Sequence, residues 1–131
     1  MSNFFTAADI VHSYNRAEGL EDGVLVDVTS TAKEAGIRFP VAMTIAAYEN
    51  SVAWTRKEAI QDVSGRLWDV VYMLGAAIRR VGHGVTTISF TVYVVPNVGK
   101  ARNPKPVHLV AVCGPGDHGE PVITILMPNE D

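Results

Sequence analysis

The only cysteine of this 131-residue chain, Cys113, stands directly before GPGDHG, which places Asp117 and His118 in the turn that follows it. A thiolate with a histidine close by is the raw material of a nucleophile and its base. A plainer reading fits the same residues: a lone cysteine in a strand is usually a small buried hydrophobe, and the glycines and prolines after it follow from hairpin geometry. The two readings separate on one property, since a working nucleophile must be exposed and alkylate fast.

Other catalytic patterns are absent. There is no P-loop, no dinucleotide-binding glycine pattern, no nucleophile elbow and no pair of histidines at metal spacing. His12, His83, His108 and His118 fall on separate predicted elements, so neither a metal site nor a cofactor is expected.

Charge is distributed unevenly behind a net value of −3. Residues 1–69 carry ten acids against six bases, residues 70–116 carry five bases and no acid, and residues 117–131 carry four acids and no base. The five bases are Arg79, Arg80, Lys100, Arg102 and Lys105. The last three belong to PNVGKARNPKP, a loop over 96–106 that its prolines and glycine forbid from being regular. Such a loop can be a solvated hairpin connection or an arm that contacts phosphate, with Arg79 and Arg80 in support. Arg66 and Asp69, three residues apart, can pair on a helix, which is informative only if the pair is buried. Asp27 lies within an apolar run and needs a partner if buried, with Arg38 or Arg66 the candidates.

These residues must be positioned by elements that can be read from periodicity. In SGRLWDVVYMLGAAIRRVG, Leu67, Val70, Val71, Leu74, Ile78 and Val81 recur at three- and four-residue steps, which predicts a central helix over about 64–81. Ser64 is its expected cap, Arg79 and Arg80 suit the negative end of its dipole, and Gly82 stops it. Trp68 and Tyr72 flank the stripe and, with Trp54, are expected in the core, the apolar floor of an interface being the alternative. Upstream, the pattern predicts a helix from Thr6 to about Gly19, a strand or extended segment at GVLVDVT, and a short helix capped by Thr29 or Thr31 and ended by Gly36. A further helix is expected from Pro40 to Val52, and a short one within Trp54–Val63 where Thr55 and Glu58 form a capping box. Downstream, Ile88, Phe90, Val92 and Val94 alternate with Thr87, Ser89, Thr91 and Tyr93, the mark of an antiparallel strand with one buried face. Strands over 107–113 and 122–127 follow.

A hydrophobic share of 47% and a slightly positive mean hydropathy suit one globular domain over 1–131, large enough to bury roughly two thirds of the surface of its unfolded chain. One cysteine leaves no internal disulfide. With no secretory pattern and no apolar run near the roughly 20 residues of a membrane span, the expected setting is soluble and cytoplasmic, with no membrane contact.

Four blocks, YNRAEGLEDGVLVDVT, AGIRFPVAMT, SGRLWDVVYMLGAAIRR and CGPGDHGEPVITILMP, resemble in that order a family of small bacterial proteins of unknown function found on plasmids, integrated elements and phages. The resemblance brings no activity. It implies a mobile-element setting, in which small acidic proteins modulate host defence or replication by binding a protein.

The expected architecture is α+β, with N-terminal helices packed on one face of a C-terminal three-stranded antiparallel meander. If nothing covers its other face, exposed Val110 or Leu126 would favour a homodimer. The expected function is that of a non-enzymatic accessory protein with an unidentified protein partner. Nucleic-acid binding through the basic loop and cysteine-dependent catalysis are the alternatives.

Overall fold

The computed structural model describes residues 15–82 and 84–130. Along the chain run α1 (Arg16–Glu21), β1 (Leu25–Asp27), α2 (Thr29–Glu34), β2 (Val41–Thr44), α3 (Ile45–Ser51), α4 (Val63–Val81), β3 (Thr87–Val94), β4 (Lys105–Pro115), β5 (Pro121–Leu126) and a 3-10 turn at Pro128–Glu130. Most of the helix expected from Thr6 lies outside the described residues, as do His12 and His83.

The fold is α+β, but its sheet is not the three-stranded antiparallel meander that the sequence suggested. Five strands form a mixed sheet in the order β1-β2-β5-β4-β3. β3, β4 and β5 are antiparallel neighbours, whereas β2 pairs parallel to β5 and antiparallel to β1. The correction originates in VAMT, whose four residues are all buried. A strand with neighbours on both edges and cover on both faces shows no alternation, so its pattern cannot be told from the start of a buried helix. Residues 40–52 are therefore strand and then helix. Thr44 makes the junction: its backbone is extended and its side chain accepts from the Ala47 amide at 3.2 Å, capping α3. GVLVDVT supplies β1, a three-residue edge strand.

α4 lies against the sheet and is the spine of the main core. Val70, Val71, Leu74 and Ala77 on its inner face are buried with Phe90, Val92 and Val94 of β3, Leu109 and Ala111 of β4, Ile123 and Ile125 of β5 and Val41 and Met43 of β2. Each large apolar side chain buried in this way stabilises by about 1.5–3 kcal/mol. That stripe outweighs the roughly 1 kcal/mol that Gly75 costs within the helix. Ala35, just past α2, packs beside Gly75, its carbonyl 3.6 Å from where a Cβ there would stand, an ordinary contact. The cap of α4 is Asp62, not Ser64; its carboxylate accepts from the Gly65 amide at 2.6 Å. Gly82 ends the helix with a φ of 77° and a ψ of −166°, a conformation that side chains oppose.

No helix forms within residues 55–62. The Trp54 indole donates to the Glu58 carbonyl at 2.9 Å and Arg56 reaches across to two carbonyls of the loop after β3, which holds the segment open as a turn. Cross-chain hydrogen bonds have won over the local capping signal.

On the opposite sheet face Val110 and Leu126 are buried, so the condition that made them a homodimer surface is not met. Thr87, Ser89 and Tyr93 of β3 are exposed there.

Candidate functional site

Two ends of α4 carry the chemistry-bearing residues. At roughly 1.5 Å per residue, the levels of Arg66 and Arg79 lie about 20 Å apart along the axis. The five bases of the acid-free segment are thereby split. Arg79 and Arg80 are at the helix C-terminus, while Lys100 and Arg102 belong to the loop after β3, beside the helix N-terminus, and Lys105, read from sequence as part of that loop, is the first residue of β4 and pairs with Val94.

At the N-terminal end, Arg66 is 2% exposed. Its guanidinium donates to the Val52 carbonyl at 2.9 Å and the Val95 carbonyl at 2.7 Å, with a longer contact to Gln61 Oε1 at 3.4 Å. Desolvation, together with neighbouring Arg56, lowers its pKa, and Asp69 opposes that shift without a direct bond. Asp69 is exposed, so the Arg66–Asp69 pair read from spacing is not formed. Arg56 donates to the Pro96 carbonyl at 2.9 Å and the Ala101 carbonyl at 2.7 Å and makes an ion pair with Glu58 at 3.2 Å. That partner holds the Glu58 carboxyl below its usual range. Both guanidiniums lie near the Trp54 ring, at 4.6 and 5.1 Å from its centroid. The Thr55 amide donates to Asn97 Oδ1, and the Asn97 amide returns a bond to Thr55 Oγ1. The base of the basic loop is thus pinned, with Lys100 and Arg102 exposed upon it and Lys105 exposed at the start of β4.

At the C-terminal end α4 forms one wall of a pocket of about 400 Å³. Ile37, Leu74, Ile78, Ile88, Ala111 and Ile123 give it an apolar interior, and Cys113 lies in its wall. Phe39, Val81 and Val85 line it and are exposed. Arg38 and Arg79 also line it, and among the described residues no acidic residue does and neither arginine forms an ion pair. Arg79 Nη1 lies beside Gly75, 3.4 Å from where a Cβ there would stand.

Cys113 is half-buried in this wall, and its amide donates to the Thr86 carbonyl at 2.8 Å. Among the described residues, neither of its proposed companions is joined to it. Asp117 accepts from the amides of Arg16 at 2.8 Å and Ala17 at 3.1 Å, which caps α1 from across the fold and holds the Asp117 carboxyl below its usual range. His118 is exposed at the tip of the β4–β5 hairpin, where its amide donates to Glu120 Oε1 at 2.9 Å. Among the described residues no side-chain hydrogen bond joins Cys113 to His118, and no cluster of His, Cys, Asp or Glu could hold a metal ion.

Asp27 is exposed and accepts from the Thr29 amide at 3.0 Å and its hydroxyl at 2.6 Å, so neither Arg38 nor Arg66 is its hydrogen-bonding partner. Its carboxylate, not Thr29 or Thr31, serves the start of α2, whose N-cap is Val28. Trp68 and Tyr72 are not core residues. They are 40% and 53% exposed on the outer face of α4, with ring centroids 6.2 Å apart. Their i, i+4 spacing was visible, but which side of the apolar arc faced the sheet was not. Arg38 was read only as a partner for Asp27, and Phe39 and Gly75 escaped notice because nothing local marks them; only the chain crossings bring the three to the end of α4. No helix among the described residues is long and apolar enough to cross a membrane.

Residues 1–131 match a family of unknown function, DUF6573, and the chain belongs to that family. No curated protein and no solved structure matches it.

Proposed function

We propose that this DUF6573 protein is a non-enzymatic accessory protein of a bacterial mobile element or its host and works by binding another protein through the outer face of α4. The observation that carries the reading is the exposed Trp68–Tyr72 pair. Val70, Val71, Leu74 and Ala77 fill the inner face of the same helix, which leaves the two rings on its solvent side with no cover from the described residues. Trp and Tyr are the residue types that most often carry interface energy, because they bury a large rigid area at little entropic cost. Asp69, exposed beside them and in no ion pair among the described residues, gives the patch an acidic edge and points to a partner with a basic rim. The mobile-element setting is supported by the resemblance of the four sequence blocks.

The test compares capture of host proteins by the full chain and by Trp68→Ala/Tyr72→Ala, with Tyr93→Ser as a control on another exposed aromatic. A specific partner should lose about 2–4 kcal/mol of affinity with the double variant and keep it with the control. A partner held equally by all three proteins would refute this surface.

A second reading, nucleic-acid binding through Lys100, Arg102 and Lys105, is favoured by one observation: Arg56, Arg66 and Asn97 fix the base of that loop, so the cations sit on a frame that needs little ordering. Its signature is binding that weakens with salt and disappears when all three bases become alanine.

A further inference from the structure

The pocket at the C-terminal end of α4 is separate from the aromatic pair, and an inference about it does not rest on the docking surface. Its interior is apolar, its volume of about 400 Å³ falls in the lower part of the range for small-molecule sites, and among the described residues the charged ones lining it are arginines alone. Arg38 and Arg79 have no ion-pair partner among the described residues, in contrast to Arg56 in the same fold. We propose that this pocket binds a small monocarboxylate with an apolar body, such as an aryl-alkanoic or medium-chain acid, with the apolar part inside and the carboxylate held by Arg38 and Arg79.

Three observations narrow the ligand to that class. An uncharged apolar ligand would leave both guanidiniums without an anion, whereas a guanidinium matches the geometry of a carboxylate. Gly75, the one position on the pocket face of α4 without a Cβ, is where Arg79 Nη1 comes to lie; a long side chain on a helix leans toward the N-terminus, and here the lean carries the charge over the cavity. The carbonyl end of α4 by itself disfavours an anion, and the two arginines of its last turn offset that. Arg80 remains in the last turn to offset the dipole, so Arg79 can be given to a ligand. A dicarboxylate or phosphate ester fits less well, because among the described residues no polar side chain other than those of Thr86 and Cys113 lines the interior away from the arginines.

Cys113, the sole thiol, reports on occupancy without being part of the binding chemistry. The experiment measures calorimetric binding of 3-phenylpropionate and octanoate to the full chain, beside 3-phenylpropanol and octanol as uncharged equivalents. In parallel it follows the rate at which a small maleimide alkylates Cys113 with and without each compound. The acids should bind at least about tenfold more tightly than the alcohols, weaken by about tenfold or more in Arg38→Gln/Arg79→Gln, and slow alkylation of Cys113 in proportion to occupancy. Lys100→Gln, on the loop at the far end of α4, should change none of these. Acids and alcohols binding equally would overturn the carboxylate assignment, as would acid binding that survives the double arginine variant. Absence of binding by both acids at millimolar concentration would overturn the pocket as a site for this class. Acid binding without protection of Cys113 would place the ligand elsewhere and overturn it as well.

Discussion

The two ends of α4 carry the same residue type in opposite conditions. At the N-terminal end Arg66 and Arg56 are sunk in the fold, and their donors are spent on the carbonyls of Val52, Val95, Pro96 and Ala101. At the C-terminal end Arg38 and Arg79 are exposed beside an apolar hollow and are in no ion pair among the described residues. A guanidinium whose hydrogen bonds are closed within the chain builds structure, and one whose donors remain open beside a cavity can serve a ligand. Sequence alone ranks Arg79 and Arg66 in the same order, a helix-end cation against a pairing residue, but it does not set Arg38 beside Arg79 or Arg56 beside Arg66.

The sharpest way to break the comparison is Arg66→Met, which keeps an apolar stem and deletes the guanidinium. It leaves the carbonyls of Val52 and Val95 buried without their donor, at about 1–3 kcal/mol each, so a loss of about 2–5 kcal/mol is expected in urea denaturation. If Arg66→Met proved no less stable than wild type, the N-terminal end would not be the structural one.

The next measurement goes to the other end and expects a small number. Arg38→Gln and Arg79→Gln, singly or together, should change stability by no more than about 0.5 kcal/mol in the same assay, because they remove exposed groups that close no internal bond. A loss as large as that of Arg66→Met would erase the distinction between spent and open arginines.

How much of this was legible follows the range of the signals. The central helix was readable nearly to the residue, because its stripe is local and Gly82 is a backbone requirement. Strand β3 was readable because one face is covered and the other is partly exposed, so alternation survives. β2 was hidden for the converse reason: Val41, Ala42, Met43 and Thr44 are all buried, and only their pairing with Ile123, Thr124 and Ile125 distinguishes strand from helix. The pocket was half legible. Cys113 and Arg79 were both singled out, but each was linked to the wrong companion, His118 in one case and the loop bases in the other. Gly36–Phe39, the segment that closes the pocket, announces nothing until β2 carries it past the end of α4.

Asp117 supplies the smallest expected effect and the finest test, because it lies on the pocket side of the molecule, four residues beyond Cys113, and yet is fully engaged. If the rule concerned position along α4, Asp117 should be free; if it concerns bonds closed within the chain, Asp117 should behave like Arg66 in miniature. Its pKa is lowered first by the two amides it caps, those of Arg16 and Ala17. A carboxylate with a depressed pKa in the folded state binds its proton more readily when unfolded, so protonation favours unfolding. The stabilisation is therefore complete above the unfolded value of about 3.9 and is lost as pH falls through the lower folded value. Asp117→Asn should make the acid limb of the stability curve shallower below about pH 4, and it should leave alkylation of Cys113 unchanged at neutral pH. An acid limb identical to that of wild type would mean that the two amides do not hold the charge, and the contrast between closed and open groups would then apply to the buried arginines alone.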